Sequence, residues 1–330
     1  MNFFLKQLCN IPTSTSRCSS IFYNVVKKYY NSNISTSILI TRYIIIVTCI
    51  IKKFLLIAIL ISNNSVIAVS KNTSQKKIIQ TSLIINASNG RILHARNANK
   101  HIFPASLTKV MTLYILFEQI NKGKLKMNSK LYVSKYAAAA CPSKLYLKAG
   151  TTIEVKDAIL GLIVKSANDV ARVVAENIAG NEDKFARLMT IRARQLGMNL
   201  TTFKNASGLH HPQQRTTALD LAKLSIAIRR DFPNFYHYFS HNSFKFRGKI
   251  VKGHNPVTEQ YPGATGLKTG YTSAAGRNLI TSATRGNNSL IGIVTGSNSN
   301  KYRNNKMVQL LDKYFITLNN NPKKNKNYKS

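Results

Sequence analysis

A serine and a lysine stand three residues apart in Pro104-Ala105-Ser106-Leu107-Thr108-Lys109. On a helix, positions i and i+3 share a face. A serine hydroxyl is a poor nucleophile until a neighbour removes its proton. A lysine amine can do that where burial or nearby cations disfavour its charged form. The free N–H groups of a helix start can stabilise an oxyanion beside Ser106. The same S-x-x-K spacing recurs at Ser74 and Lys77, so the pattern carries weight only in company.

Two further clusters supply that company. Ser166-Ala167-Asn168 follows the apolar run Leu160-Gly161-Leu162-Ile163-Val164. On a turn into a helix, Ser166 can pass a proton between Lys109 and a leaving amine, and Asn168 can bond a substrate amide and hold the lysine. Taken alone S-x-N is weak, since it also occurs at Ser62-Asn64 and Ser70-Asn72. Lys268-Thr269-Gly270 occurs once, inside the strand candidate Thr265 to Tyr271. Gly270 lets another backbone approach. A peptide can add to such an edge, where Lys268 and Thr269 can receive a carboxylate. The preceding residues do not meet the phosphate-loop pattern GxxxxGK[ST].

The elements that must position these residues are legible in outline. Apolar runs at 81–87 and 91–95 flank Asn89-Gly90 and predict a hairpin. Leu107, Val110, Leu113, Tyr114 and Phe117 recur at helical spacing, ending near Gly123. A loop-rich stretch covers 126–153. Helices are expected at 157–164, 168–179 and 182–196. Another runs from Thr217 to Arg230, with Thr217 and Asp220 as a capping box. After Pro233 the pattern turns to strands, at 266–272, 277–284 and 289–295, and a final helix fits 307–315. Strand-like ends around a helical middle predict an α+β fold: one sheet covered by helices, with a helical lobe inserted at about 126–235. We place a leader at 1–70, the catalytic domain at 71–318 and a basic disordered tail at 319–330.

Composition bounds the rest. The 330 residues carry 48 Lys plus Arg against 11 Asp plus Glu, a net charge of +37. Such a field favours anionic surroundings, although Asn, Lys and Ile are abundant throughout and base-compositional bias explains the charge equally well. Cys9, Cys18 and Cys49 precede residue 70, leaving Cys141 alone in the body. Neither an internal disulfide nor a structural zinc site is expected. Residues 38–69 are apolar but interrupted at Lys52-Lys53. A positive flank, a short apolar core and the exit Ala68-Val69-Ser70 describe a secretory signal. An uncleaved anchor tying the chain to the membrane is the alternative.

The ordered triple S-x-x-K, S-x-N, K-T-G resembles the penicillin-binding and serine beta-lactamase superfamily. Within it, the chain is most similar to the low-molecular-mass D-alanyl-D-alanine carboxypeptidases, the S11 serine peptidases. The likeness spans about residues 80–316. It includes Pro104 to Thr112, Lys165 to Asp169, Phe203-Lys204-Asn205-Ala206-Ser207-Gly208-Leu209 and Gly266 to Thr272. The resemblance implies a mainly antiparallel, transpeptidase-like sheet flanked by helices. It implies removal of the terminal D-alanine from peptidoglycan stem pentapeptides by an exported enzyme, in the periplasm or at the outer face of the cytoplasmic membrane, with beta-lactams as covalent inhibitors. By resemblance Ser106 is the acyl-enzyme nucleophile and Lys109 its base. Ser166 and Asn168 complete the proton and amide network, and Lys268, Thr269 and Gly270 line the substrate strand. The N–H groups of Ser106 and Tyr271 form the oxyanion hole. No metal or organic cofactor is implied.

Three departures stand out. Some members add a C-terminal β-rich domain and an amphipathic membrane helix, and no such anchor is expected here. Many carry a basic residue after the last core strand, where this chain has Ser297. The segment Leu209 to Gln214 differs from the usual acidic, proline-bearing stretch. Its His210 and His211 read as loop residues rather than metal ligands. A class A beta-lactamase would need a deacylating glutamate some tens of residues past S-x-N. No glutamate lies between Asp183 and Thr258, so beta-lactams are expected to inhibit rather than be destroyed. A basic nucleic-acid or polymer-binding protein is the alternative of another class. The charge favours it, but no nucleic-acid motif is present.

Overall fold

Asn86 closes the first hairpin with its side chain: Oδ1 accepts from the N–H of Ser88 at 2.9 Å, and Gly90 turns the chain at φ 71°. In the computed structural model, which describes residues 44–55 and 78–320, this hairpin is β1 (Thr81–Asn86) and β2 (Ile92–Arg96). The chain divides into two units, residues 1–75 and 76–330. Of the first, residues 44–55 are described and are helical. The leader's apolar core beyond Leu55, its exit, the second S-x-x-K, both extra S-x-N copies and the tail beyond 320 lie outside the described residues. Among those described, no helix is long and apolar enough to cross a membrane.

The second unit is built on a five-stranded sheet in the order β2-β1-β9-β8-β7. β7 is Ala264–Thr272, β8 Gly276–Arg285 and β9 Asn288–Ser297. Every neighbouring pair is antiparallel. Residues alternate between the faces of a strand, and both faces here are apolar. Ile84, Leu279, Ala283, Leu290 and Val294 meet Met307, Leu311 and Phe315 of α5 (Asn300–Asn320). Leu83, Ile85, Ile280, Ile291 and Ile293 join the larger core on the opposite face. That core is organised around α1 (Lys109–Asn121), whose residues from Val110 to Phe117 are all buried. A helix apolar on all sides belongs in the interior.

The middle of the chain carries α2 (Asn168–Ala179), α3 (Glu182–Gln195) and α4 (Ala218–Asp231). Two small antiparallel pairs accompany them: β3 (Lys130–Tyr132) with β4 (Thr152–Glu154), and β5 (Ser243–Phe246) with β6 (Lys249–Lys252). The first pair and a helical turn at Lys135–Ala138 lie in the stretch expected to be loop. α4 packs on β9 and β1.

Several local expectations are corrected. The helix expected at 157–164 is α-helical only over Val155–Leu160 and widens to a π-turn at Gly161–Lys165. Thr217 caps α4 by accepting from Asp220 N–H at 3.1 Å, but the Asp220 carboxylate does not complete a box. It accepts instead from Leu200 N–H and Thr201 Oγ1, pinning the preceding loop. Strands do not resume directly after Pro233. A helical turn at Pro233–Tyr236 and a 3-10 turn at His237–Ser240 intervene. Phe232, Phe235 and Phe239 cluster around Phe117, and a coiled backbone brings all three to one point.

Candidate active site

Ser106 lies on a 3-10 turn, Ala105–Thr108, and α1 begins only at Lys109. The side-chain alignment survives because i and i+3 eclipse one another in a 3-10 turn. Ala105 enters the turn at φ 50°, a region costly for a residue with a Cβ. Its neighbours hold it there. Asn278 Nδ2 donates to the carbonyls of Phe103 at 3.1 Å and Pro104 at 3.3 Å, while its Oδ1 accepts from Gly296 N–H at 3.0 Å. Gly208 packs so closely that a Cβ would fall 1.9 Å from the Ala105 oxygen. A Cβ on Gly270 would fall 3.0 Å from Ser106 N, so β7 runs directly beside the turn.

Lys109 is fully buried. Its Nζ lies 3.1 Å from Ser106 Oγ, 2.7 Å from Asn168 Oδ1 and 2.5 Å from the carbonyl oxygen of Ser207. Burial first, then the nearby Lys268 cation, holds its pKa well below the ordinary lysine value, against the opposing pull of Asp169 and Glu182. A neutral amine has two hydrogens and one lone pair. The oxygens of Asn168 and Ser207 can only accept, so they take the two hydrogens. The lone pair is left facing the Ser106 hydroxyl, as a general base requires.

Longer-range contacts fix those two acceptors. Asn205 Oδ1 accepts from Gly208 N–H at 2.7 Å, and its Nδ2 donates to Leu209 O at 2.9 Å. Thr112 Oγ1 donates to Ala206 O at 2.7 Å, and Glu182 Oε1 accepts from Ala206 N–H at 3.0 Å. Together they set the Ser207 carbonyl. Asn168 begins α2 after Ser166, which sits in the left-handed region at φ 59°. Its Nδ2 donates to Cys141 O at 2.9 Å. The buried Asp169 carboxylate accepts from Leu145 and Leu147 N–H, tying the 141–147 loop to α2.

β7 is an edge strand, and Lys268 and Thr269 are buried in it. Lys268 Nζ donates to Thr269 O at 2.9 Å. Burial, followed by the Arg303 cation, pulls its pKa down to about 7. Thr269 Oγ1 lies 3.0 Å from His254 Nε2. Tyr271 is exposed beyond Gly270.

These groups meet in one cleft of about 350 Å³, lined by Ser106, Ser166, Asn168 and residues 269–272, among others. Of the eight site residues expected from sequence, six line it directly, and Lys109 and Lys268 sit buried behind Ser106 and Thr269. The sequence reading missed Arg277, Arg303 and His254, which also line the cleft. Where Ser297 leaves no basic residue directly after β9, Arg303 brings one to the cleft. The first turns of α5 supply the cation six residues later, and the guanidinium is held by Asn304 Oδ1 at 2.8 Å and Asn278 O at 3.5 Å. Nothing local to Arg303 flags it in the sequence. Arg277 lies over the Tyr271 ring at 4.6 Å. His210 packs edge-on against Phe103, and His211 accepts from Gln213 N–H, as loop residues do. Among the described residues, no Asp or Glu lines the cleft and no cluster of His, Cys, Asp and Glu is arranged to hold a metal.

A mainly antiparallel sheet covered by helices, with a serine–lysine pair beside an edge strand, defines the penicillin-binding, transpeptidase-like class of protein. Within it this chain belongs to the D-alanyl-D-alanine carboxypeptidase family, Peptidase_S11, whose model matches residues 67–299. It is 32% identical over 248 residues to D-alanyl-D-alanine carboxypeptidase DacF of Bacillus subtilis, covering 74% of this chain and 64% of that one. It is 34% identical over 246 residues to DacC of Escherichia coli, with 72% and 62% covered. The chain thus spans just under two thirds of the length of these relatives. Among solved structures, penicillin-binding protein 5 from Haemophilus influenzae matches with a TM-score of 0.69 at 34% identity, covering 72% of this chain and 70% of that one. Penicillin-binding protein D2 from Listeria monocytogenes, in its ampicillin-bound form, matches with a TM-score of 0.63 at 28% identity, covering 69% and 95%.

Proposed function

We propose that this protein is a serine-type D-alanyl-D-alanine carboxypeptidase that removes the terminal D-alanine from peptidoglycan stem pentapeptides. The observation that carries the reading is the buried Lys109 amine, 3.1 Å from Ser106 Oγ and held by Asn168 Oδ1 and the Ser207 carbonyl oxygen. The substrate lies along the β7 edge, and Thr269, Lys268 and Arg303 receive its terminal carboxylate. Lys109 takes the Ser106 proton, and Oγ attacks the carbonyl of the penultimate D-alanine. The N–H groups of Ser106 and Tyr271 receive the developing oxyanion. Ser166 relays the proton to the departing amine, which leaves as D-alanine. Water then hydrolyses the ester, with Lys109 again as base.

Such a substrate places the enzyme outside the cytoplasm, at the cell wall, which agrees with the charged, short apolar leader. The D-alanyl-D-alanine carboxypeptidase relatives support the reaction, and the ampicillin-bound relative supports beta-lactams as ligands. The absence of a carboxylate along the described cleft argues against a class A beta-lactamase. Release of D-alanine from a stem pentapeptide by the wild type, and its loss in Ser106→Ala, tests the assignment. Retained release in Ser106→Ala would overturn it.

A further inference from the structure

We infer that His254 is a positioning residue that aims the Thr269 hydroxyl proton into the cleft and so sets the enzyme's preference for substrates ending in a free carboxylate. This inference rests on the functional reading above.

The geometry begins with a rigid mount. His254 stands between Gly253 and Asn255, in the link from β6 to a helical turn at Pro256–Gln260. Gly253 N–H donates to Asn242 O at 2.6 Å. Asn255 caps the turn, its Nδ2 donating to Thr258 Oγ1 at 2.7 Å and its Oδ1 accepting from Thr258 N–H at 3.4 Å. With both neighbours anchored, the ring reaches across to β7 and places Nε2 3.0 Å from Thr269 Oγ1.

A threonine hydroxyl has one hydrogen and two acceptor sites, and a carboxylate can only accept. For Thr269 to give its hydrogen to a substrate carboxylate, the His254 contact must run the other way, with Nε2–H as donor. We assign His254 that Nε2–H tautomer, and the 3.0 Å contact fits it. Crowding by the protein, then the cations Lys268, Arg303, Lys165 and Lys109, hold the imidazole below its ordinary pKa. The neutral Nε2–H form donates to Thr269, and the threonine proton turns outward.

A donor held this way favours an oxygen at each position of the substrate terminus and disfavours an amide NH₂. His254 therefore governs discrimination between termini rather than bond cleavage. The test compares N-acyl-D-alanyl-D-lactate with the same depsipeptide bearing a terminal carboxamide, using the full-length enzyme. His254→Ala is expected to lose about five- to tenfold in kcat/KM on the carboxylate substrate, chiefly through KM, with little change on the carboxamide. His254→Gln, which keeps a side-chain N–H donor, is expected to recover most of the loss. Equal losses on both substrates, or no loss on either, would overturn the inference while leaving the carboxypeptidase reading intact. A wild type unable to acylate Ser106 with either substrate would overturn both. Melting curves for the two variants guard against misfolding, and if His254→Ala unfolds, the two-substrate ratio in His254→Gln decides. A wild-type ratio there supports the inference and a collapsed one overturns it.

Discussion

Lys109 Nζ and the carbonyl oxygen of Ser207 are 98 positions apart in sequence and 2.5 Å apart in the fold. That contact turns a lysine into a base. It occupies one N–H with a group that cannot donate in return, and Asn168 occupies the other. A buried amine that is so bonded and lies close to Lys268 sheds its charge readily.

Replacing the base tests this directly. Lys109→Arg preserves a cation but introduces a guanidinium that stays protonated. We expect the acylation rate of Ser106 to fall by about 10²–10⁴-fold, the range for a lost general base. The check is the rate of labelling by fluorescent penicillin. Labelling at near wild-type rate would mean the proton leaves by another route.

The pH dependence has a definite sign. Lys109 must be neutral to act, and its folded pKa lies well below 10.5. Acylation is therefore expected to weaken as falling pH protonates the amine. Lys268, at about 7, must be cationic to receive a carboxylate. Hence kcat/KM for carboxylate substrates should decline above about pH 7, giving a bell whose limbs report the free enzyme.

Lys268 also leaves a mark on stability. Its pKa falls from 10.5 in the unfolded chain to about 7 in the fold, so the unfolded state binds more protons between those values. Its contribution is complete above the unfolded value and is lost as pH falls towards the folded one. The melting temperature should therefore rise from pH 7 to pH 10 more steeply in the wild type than in Lys268→Met. Parallel slopes would contradict this.

Gly208→Ala should damage both fold and site. The left-handed backbone at φ 86° costs about 1–2 kcal/mol with a Cβ, and the clash with the Ala105 oxygen adds to that. A lower melting temperature together with slower penicillin labelling is expected. A variant with the wild-type melting temperature and labelling rate would show that the Ala105 turn tolerates displacement.

Much of this site was legible because its chemistry sits in short local runs. Ser106 with Lys109, Ser166 with Asn168, and 268–270 each announce themselves by residue type and spacing, and the first hairpin follows from two apolar runs around Asn89-Gly90. What stayed hidden depends on residues far apart in sequence. Asn278 earns its place by spanning β8 to the Phe103 and Pro104 carbonyls. Arg303 faces the cleft only because α5 packs on the sheet. His254 becomes meaningful only beside Thr269. The helical turns after Pro233 escaped notice because aromatic packing around Phe117, rather than local propensity, coils them.

The central claim is that Ser106, activated by Lys109, is the nucleophile, and covalent trapping tests it most directly. Wild-type protein treated with penicillin should gain one adduct by intact mass. Peptide mapping should place it on Ser106, with slow release because no carboxylate along the described cleft activates water. An adduct on Ser166 or elsewhere, or none at all, would contradict the account.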